Sequence, residues 1–195
     1  MLLIKMVVVD KNWLMSTLEE WNIAAAKNKL SLRLIAVGGT ALTLLNLKAS
    51  TKDIDFAVPG GDFTALSTLL KKVGAKAAGG ISFRTKDGAR LDIFGGGQIF
   101  TTTLPEDFLE QSTPIKYFGS IKLYALSIYD IIITKLARSS ASDEEDIKAV
   151  FTSAEVDIDR LKRRHEKVQK LNYDRNLKYH FERLLNILLK EWRKA

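Results

Sequence analysis

The chain has 195 residues, of which 46% are hydrophobic and 27% are charged, and this composition is typical of one folded domain with a helical extension. It contains no cysteine, which excludes a disulfide framework and thiolate metal sites, so we expect a cytoplasmic protein. Residues 1–9 are apolar but include Lys5 and no signal-peptide cleavage pattern. No apolar run approaches the roughly 18 residues of a spanning helix, so no membrane association is expected.

The formal charge of +7 is concentrated at the end of the chain. Residues 157–195 contain twelve Lys and Arg against six Asp and Glu. Such an excess can attract nucleic acid phosphates, which makes RNA a candidate partner of these residues. A solvated helical face without a partner explains the same pattern equally well.

The first hundred residues are predicted to alternate between helices and strands. Helices are indicated by apolar residues with a period near 3.6, and strands by alternating apolar and polar residues. Lys86-Asp87-Gly88 separates two such runs and is typical of a β-hairpin. The predicted elements are helix 13–29, strand 32–37, helix 40–47, strand 53–58, helix 62–73 capped by Asp62, and hairpin strands 81–85 and 90–94.

The second half is predicted to be mainly helical. Residues 95–114 are rich in Gly, Thr and Pro, as expected of a connection between two parts. One more hairpin is predicted over 115–124, and it is followed by helices over 127–137, 143–153, 157–172 and 177–192. We therefore predict an α+β chain with a first part at 1–110 and a mainly helical C-terminal region at 111–195.

Acidic residues on two predicted strands form the first candidate site. Asp53 and Asp55 are two residues apart, so both side chains project from one face of their strand. If the strand of Asp92 is a neighbour, the three carboxylates form one cluster. Three such charges repel one another unless a cation neutralises them, and Mg²⁺ prefers oxygen ligands that it shares with substrate phosphates. The alternative is that all three are ordinary acids facing the solvent.

A glycine pair upstream strengthens the prediction of a metal–nucleotide site. Gly38 and Gly39 lie between a predicted strand and a predicted helix, where backbone N–H groups can approach phosphate oxygens closely. Thr40 can add a hydroxyl group. Most glycine pairs are simply turns, so the prediction depends on their combination with the acids.

These residues resemble the signature of the polymerase-β-like nucleotidyltransferase superfamily. Val37-Gly38-Gly39 is followed, after thirteen residues, by Asp53-Ile54-Asp55. The resemblance implies a small mixed β-sheet flanked by helices, and transfer of an NMP from an NTP to an acceptor hydroxyl. It implies Mg²⁺ or Mn²⁺ as cofactor, with two ions in the reaction. The implied metal ligands and catalytic residues are Asp53, Asp55 and Asp92, and the implied phosphate turn is Gly38, Gly39 and Thr40.

Residues 126–137 and 142–147 resemble the helix pair of AbiEii-like and related minimal nucleotidyltransferases. The resemblance implies that Lys135 binds the nucleotide, with Asp143 or Asp146 as its partner. It also implies a toxin–antitoxin component that modifies a tRNA end, another RNA or a protein, with a toxin or antitoxin as partner protein. The sequence departs from this pattern because no arginine precedes Asp143 where many relatives carry one. From the residues alone, Lys135 is equally a surface lysine and Asp143 a helix N-cap.

Two other classes of protein fit parts of the sequence. A catalytically inactive module of the same fold could bind a partner or regulate it. A plain RNA-binding protein would use the basic tail but leaves the carboxylates unexplained. His165 and His180 are expected to be surface or helix-packing residues rather than ligands, and the three tryptophans are expected to act as core or interhelical anchors.

Overall fold

The computed structural model describes residues 7–192. The prediction for the start of the chain therefore falls mostly outside the described residues, as does the side chain of Trp192. The strands are β1 (Val9–Asp10), β2 (Leu32–Ala36), β3 (Ser50–Thr51), β4 (Asp53–Val58), β5 (Lys76–Gly79), β6 (Ser82–Arg84), β7 (Arg90–Gly95), β8 (Gln98–Ile99), β9 (Thr102–Thr103), β10 (Thr113–Tyr117) and β11 (Ile121–Ala125). The helices are α1 (Lys11–Lys27), α2 (Gly38–Leu44), α3 (Asp62–Lys72), α4 (Phe108–Gln111), α5 (Ile128–Arg138), α6 (Ala141–Ser153), α7 (Ile158–Gln169) and α8 (Arg175–Trp192).

A seven-stranded mixed sheet forms the centre of the molecule. Its strand order is β10-β11-β2-β4-β7-β6-β5, in which β11 and β2 are parallel, β4 and β7 are parallel, and the other neighbours are antiparallel. The fold is therefore α+β, with a mixed sheet flanked by helices as predicted. Both predicted hairpins are confirmed as the β6–β7 and β10–β11 pairs.

The connection and the C-terminal region are more closely tied to the sheet than the sequence indicated. The segment between the predicted parts contains the small β8–β9 hairpin and α4. The β10–β11 hairpin, which lies after residue 110, adds two strands beside β2. The division into 1–110 and 111–195 stays a prediction, and the sheet includes strands from both ranges.

Two helix starts differ from the prediction. α2 begins at Gly38 rather than at Thr40, because the chain leaves its extended conformation directly after Val37. Asp62 is the first residue of α3 rather than its cap. Its carboxylate instead accepts a hydrogen bond of 3.1 Å from the backbone N–H of Arg33, so Asp62 connects the start of α3 to β2.

The two faces of β4 have different surroundings. Phe56 is buried, and the Trp21 ring of α1 packs edge-on against its ring, with ring centroids 6.3 Å apart. Ile54 and Val58 share the face of Phe56, since side chains alternate along a strand. Asp53 and Asp55 therefore project from the opposite face, away from this aromatic contact. Trp21 is the core anchor that the sequence predicted.

The C-terminal helices are attached by polar and aromatic contacts. Arg164 of α7 forms two hydrogen bonds with the fully buried Asp130 of α5, at 2.6 and 3.0 Å, and a further ion pair with Asp107. His165 stacks on Phe181 with ring centroids 3.7 Å apart. His180 places Nδ1 2.9 Å from the carbonyl oxygen of Leu136. Both histidines thus pack between helices, as predicted.

A helix that spans a bilayer must be both long and apolar, and this requirement applies to each of the helices within residues 7–192. None of them combines the length and the apolar composition that a membrane-spanning helix needs.

We predict that Arg164→Ala destabilises the protein by roughly 3–5 kcal/mol, because it leaves the Asp130 carboxylate buried without its cation. Urea unfolding at pH 7 measures the loss. The control is Lys162→Ala on the same helix, which removes only an exposed ion pair and should change stability by less than about 0.5 kcal/mol. Equal losses in the two variants would show that the buried pair does not hold α7 in place.

Candidate functional site

The parallel register of β4 and β7 brings the three predicted carboxylates together. Asp55 lies directly opposite Asp92, and Asp53 lies opposite Arg90. Residues that lie opposite each other in a parallel pair share a face of the sheet, so the three acids lie on one face. Asp55 is 8% exposed and Asp92 is 9% exposed. The condition on which the sequence prediction depended, that the two strands are neighbours, is thereby met.

Asp55 is the most perturbed of these acids. Burial, together with the negative charges of Asp92 and Asp53, raises its pKa to about 7. Arg138 and Arg90 act in the opposite direction, because their positive charges favour the carboxylate. Asp55 therefore keeps its proton to a higher pH than an ordinary aspartate does.

Asp92 already has two partners within the protein. The Ser82 hydroxyl donates a hydrogen bond of 2.5 Å to its Oδ1 atom. Arg90 Nη2 lies 2.9 Å from its Oδ2 atom, although the side chain of Arg90 is 53% exposed. The sequence prediction did not include Ser82 or Arg90. Both could have been found from the period of two along β6 and β7, which puts them on the carboxylate face.

The three carboxylates suit a hard cation in their chemistry, but the carboxylate of Asp92 is already bound by Ser82 and Arg90. Among residues 7–192, no group of three or more His, Cys, Asp or Glu side chains is arranged closely enough to hold a metal ion. Asp53, Asp55 and Asp92 nevertheless supply carboxylate oxygens, the ligands that Mg²⁺ prefers. Burial is the largest cause of the raised pKa of Asp55 and the charges of Asp92 and Asp53 add to it, so a bound cation would favour the ionised carboxylate. Asp92 would join such a site once Arg90 moves away.

The glycine pair lies directly against the carboxylates. Gly38 has a φ of +55°, and a Cβ atom at this position would lie 3.3 Å from Asp55 Oδ2 and 3.1 Å from the Phe100 ring. A Cβ atom on Gly39 would lie 2.5 Å from the Thr51 hydroxyl, which donates to the carbonyl oxygen of Asp53. Glycine is therefore favoured at position 38 by the positive φ and the nearby Asp55 and Phe100, and at position 39 by the nearby Thr51.

Thr40 contacts the strand of the aspartates. Its buried hydroxyl donates to the carbonyl oxygen of Asp53, at 3.2 Å, and accepts from the backbone N–H of Asp55, at 2.9 Å. Both hydrogen-bonding directions of the hydroxyl are thus used within the protein. Thr40 fixes the backbone between the two acids, and the predicted contact of its hydroxyl with phosphate stays a prediction.

The second predicted cluster is also assembled by the fold. Lys135 of α5 is 2% exposed, and its ammonium group lies 3.0 Å from Asp143 and 2.7 Å from Asp146, both on α6. Lys48 contacts Asp146 at 2.8 Å from the loop after α2. In the described residues, no hydrogen bond or ion pair joins Lys135 to Asp53, Asp55 or Asp92.

Asp143 is bound more tightly than the sequence indicated. It is not the N-cap of α6, because Ser140 holds that position and forms a reciprocal capping box with it. Burial raises its pKa, but hydrogen bonds from Arg138, Ser140 and Lys135 outweigh burial and hold the pKa at about 2. Burial likewise raises the pKa of Asp146, and the hydrogen bonds from Lys135 and Lys48 lower it overall.

Arg138 is a further functional candidate that the sequence prediction did not include. Its Nη2 atom lies 2.5 Å from Asp143, so it supplies a guanidinium five residues before the acid. The same guanidinium lies over the Phe100 ring at 4.0 Å, and Phe100 borders Gly38. Arg138 therefore links the Lys135 cluster to the carboxylates. The absence of an arginine nearer to Asp143 was the signal that could have prompted a search upstream.

A cavity of about 560 Å³ lies elsewhere, between α5, α6 and α8. Its walls include Leu136, Phe151, His180 and Leu184. None of the residues that line it belongs to the predicted site. The candidate site therefore consists of the carboxylates and the Lys135 cluster and does not include this cavity.

Comparison with known proteins identifies the class of this chain. Residues 13–194 match the family described as nucleotidyltransferase of unknown function (DUF6036). The chain therefore belongs to this nucleotidyltransferase family, which confirms the broader resemblance drawn from the sequence. No curated protein matches the chain significantly.

Solved structures of antibiotic-modifying and related proteins share the fold. ANT(2'')-Ia in complex with adenylyl-2''-tobramycin has a TM-score of 0.56 at 17% identity, over 81% of this chain and 99% of that one. Lincomycin-bound lincosamide antibiotic adenylyltransferase LnuA has a TM-score of 0.54 at 15% identity, over 74% and 98%. An antigenic nucleotidyltransferase-like protein from Paracoccidioides brasiliensis has a TM-score of 0.54 at 15% identity, over 92% and 90%. At these identities the likeness shows the fold alone.

The raised pKa of Asp55 predicts how stability depends on pH when no divalent metal is present. The folded protein keeps a proton on Asp55 up to about pH 7, whereas the unfolded chain releases it near pH 3.8, so this group lowers stability as the pH rises through that interval. Asp55→Asn removes the effect. We expect the variant to match the wild type near pH 4 and to be more stable at pH 8 by a few kcal/mol, on the order of one for each pKa unit.

Thermal unfolding in EDTA from pH 4 to pH 8 measures this difference. Asp159→Asn is the control, since Asp159 is an exposed acid on α7 and should show no such trend. A constant difference between Asp55→Asn and wild type across this range would contradict a pKa near 7 for Asp55.

Proposed function

We propose that this protein is a metal-dependent nucleotidyltransferase that moves an NMP from an NTP to an acceptor hydroxyl. The observation that carries the proposal is the approach of Gly38 to the carboxylate of Asp55, which itself lies opposite Asp92. The two weak sequence signals, the glycine pair and the acids, thus belong to one site. The family of the chain supports the same class of reaction.

Asp53 and Asp55 would hold Mg²⁺ or Mn²⁺, with Asp92 as a further ligand. A divalent metal at such a site neutralises phosphate charge and activates the attacking oxygen. Asp55 must first lose its proton, so metal binding by this chain should strengthen as the pH rises through about 7. Asp92 would accept the proton of the acceptor hydroxyl once Arg90 releases its carboxylate.

Three cations around two carboxylates form the proposed triphosphate wall. Lys135 is buried, and its ammonium group contacts both Asp143 and Asp146, so it holds the two acids together. The side chains of Arg138 and Lys48 are about one third exposed, at 32% and 35%, and are more accessible to a ligand. We assign Lys135 the nucleotide-binding role predicted from the sequence and add Arg138, whose positive charge acts on Asp55. Together they would stabilise the charge of the leaving pyrophosphate.

Several versions of the proposal differ in the molecule that accepts the NMP. The AbiEii-like resemblance favours a cytoplasmic toxin–antitoxin component that modifies an RNA or tRNA end or a protein, with ATP among the candidate donors. The fold neighbours instead carry antibiotics, tobramycin as an adenylyl derivative and lincomycin as a ligand. A screen of each labelled NTP against RNA, candidate proteins and both antibiotics would identify the acceptor.

A non-catalytic module of the same fold is the second candidate function. The observation that favours it is the ion pair of Arg90 with Asp92, which neutralises Asp92 without a metal. A binding module does not require NTP to stabilise it in the presence of Mg²⁺. Stabilisation that needs both NTP and Mg²⁺ would therefore favour the enzyme.

We predict that Asp53→Asn and Asp55→Asn each abolish NTP-dependent labelling of the acceptor. Each change removes a ligand charge at almost constant volume, so folding should be retained. Transfer of label from α-³²P-NTP in the presence of Mg²⁺ is the readout, and Asp159→Asn should label as wild type does. Labelling that survives both substitutions would exclude this site.

We predict that Arg138→Ala raises the KM for NTP by roughly ten- to hundredfold, because a charge-assisted hydrogen bond to phosphate is lost. Arg138→Lys should retain part of the affinity. Arg183→Ala removes an exposed arginine paired with Glu144 and serves as the control. A KM that is unchanged in Arg138→Ala would place Arg138 outside the nucleotide site.

A further inference from the structure

A row of exposed basic side chains crosses the sheet from the carboxylates to its edge. Arg90 of β7 lies opposite Asp53 on one side and opposite Arg84 of β6 on the other. Arg84 in turn lies opposite Lys76 of β5, the last strand of the sheet. We call Lys76, Arg84 and Arg90 the basic row. All three residues are exposed.

The register places the basic row on the same face as the carboxylates. Residues that lie opposite each other on neighbouring strands project to the same side, so each step across the sheet preserves the face. The core side of these strands is occupied by other residues, since Phe83 and Leu91 pair with each other and are buried. The basic row therefore begins at the carboxylates and leads outwards.

The spacing and the surroundings of the row suit a chain of phosphates. Neighbouring strands are about 4.8 Å apart, so the three cations extend over roughly 10 Å. Arg90 is paired with Asp92, whereas within residues 7–192 the side chain of Arg84 donates a hydrogen bond to the backbone carbonyl of Gly88 and forms no ion pair. The hairpin turn beyond the row holds Lys86 and Asp87, whose charges are opposite. The row thus keeps a net positive charge.

We propose that the acceptor is a single-stranded nucleic acid whose 3′ end reaches the carboxylates and whose upstream phosphates lie along the basic row. This inference rests on the proposed function, because it names the substrate class of the same site. The terminal 3′ hydroxyl would attack the α-phosphate, its proton would pass to Asp92, and pyrophosphate would leave. The row includes no aromatic side chain, so binding depends on phosphates rather than on base stacking.

In this proposal the nucleic acid contacts the basic row and not the basic tail, residues 157–195. The sequence predicted that the C-terminal helices attract RNA, on charge alone. The row instead connects by strand register to the residues that carry the proposed chemistry. A row of cations also opposes a polycationic acceptor. The two surfaces can be distinguished by substitutions of equal charge.

The test uses the full chain with a 5′-labelled, mixed-sequence RNA 12-mer, an NTP and Mg²⁺. Lys76→Ala/Arg84→Ala should weaken RNA binding about tenfold or more and reduce the salt slope of log Kd by about 1.4, two phosphate contacts at roughly 0.7 each. Fluorescence anisotropy at several salt concentrations measures both. The charge-conserving pair Lys76→Arg/Arg84→Lys should bind as wild type does. NTP binding should be unchanged in both pairs.

The matched control is Arg163→Ala/Lys170→Ala, which removes two exposed cations from the C-terminal helical region. It should leave RNA binding unchanged. The proposal is overturned if only this control weakens binding, if Lys76→Ala/Arg84→Ala binds like wild type, or if the wild type binds NTP but no RNA. In the last case a protein or antibiotic that accepts label would be the acceptor and the proposed function would stand. A chain that fails to bind NTP with Mg²⁺ would instead contradict the proposed function itself.

Discussion

The register between β4 and β7 is the constraint on which the rest of the site depends. It sets Asp55 directly opposite Asp92 in a buried part of the sheet, where two carboxylates repel each other strongly. Burial and the neighbouring negative charges raise the pKa of Asp55, while Arg90 and Ser82 bind the carboxylate of Asp92. Gly38 follows from the same constraint, because a side chain there would meet the Asp55 carboxylate. The charges of this site therefore favour a cation.

Helix α5 connects the sheet to the C-terminal region through two buried ion pairs. Asp130 near its start holds Arg164 of α7, and Lys135 near its end holds both acids of α6. Breaking a buried pair costs more than breaking a surface pair, since the remaining charge has no solvent to stabilise it. Arg138 follows one turn later and extends from this helix towards Phe100 and Gly38. The packing of the helical region therefore fixes one wall of the proposed nucleotide cleft.

The family of the chain defines the class of reaction more closely than the acceptor. Nucleotidyl transfer needs a metal, a triphosphate site and a nucleophilic hydroxyl, and the first two have candidate residues on facing elements of this chain. The hydroxyl comes from outside, so the acceptor must be inferred from the surface around the carboxylates. That surface is basic along β5, β6 and β7, and this charge is the main physical argument that separates a nucleic acid from an antibiotic acceptor.

Local patterns in the sequence determined the elements, because hydrophobic period and turn residues act over a few positions. They were sufficient for most helices and strands, for both hairpins, and for the shared face of Asp53 and Asp55. They were insufficient for Asp62 and Asp143, whose partners decide that neither is an N-cap. Tertiary structure alone decided the neighbours of β4, the use of the Thr40 hydroxyl by the strand, and the place of Arg138. The reason is that each depends on groups far apart in the chain, and strand register and helix packing bring those groups within hydrogen-bonding distance.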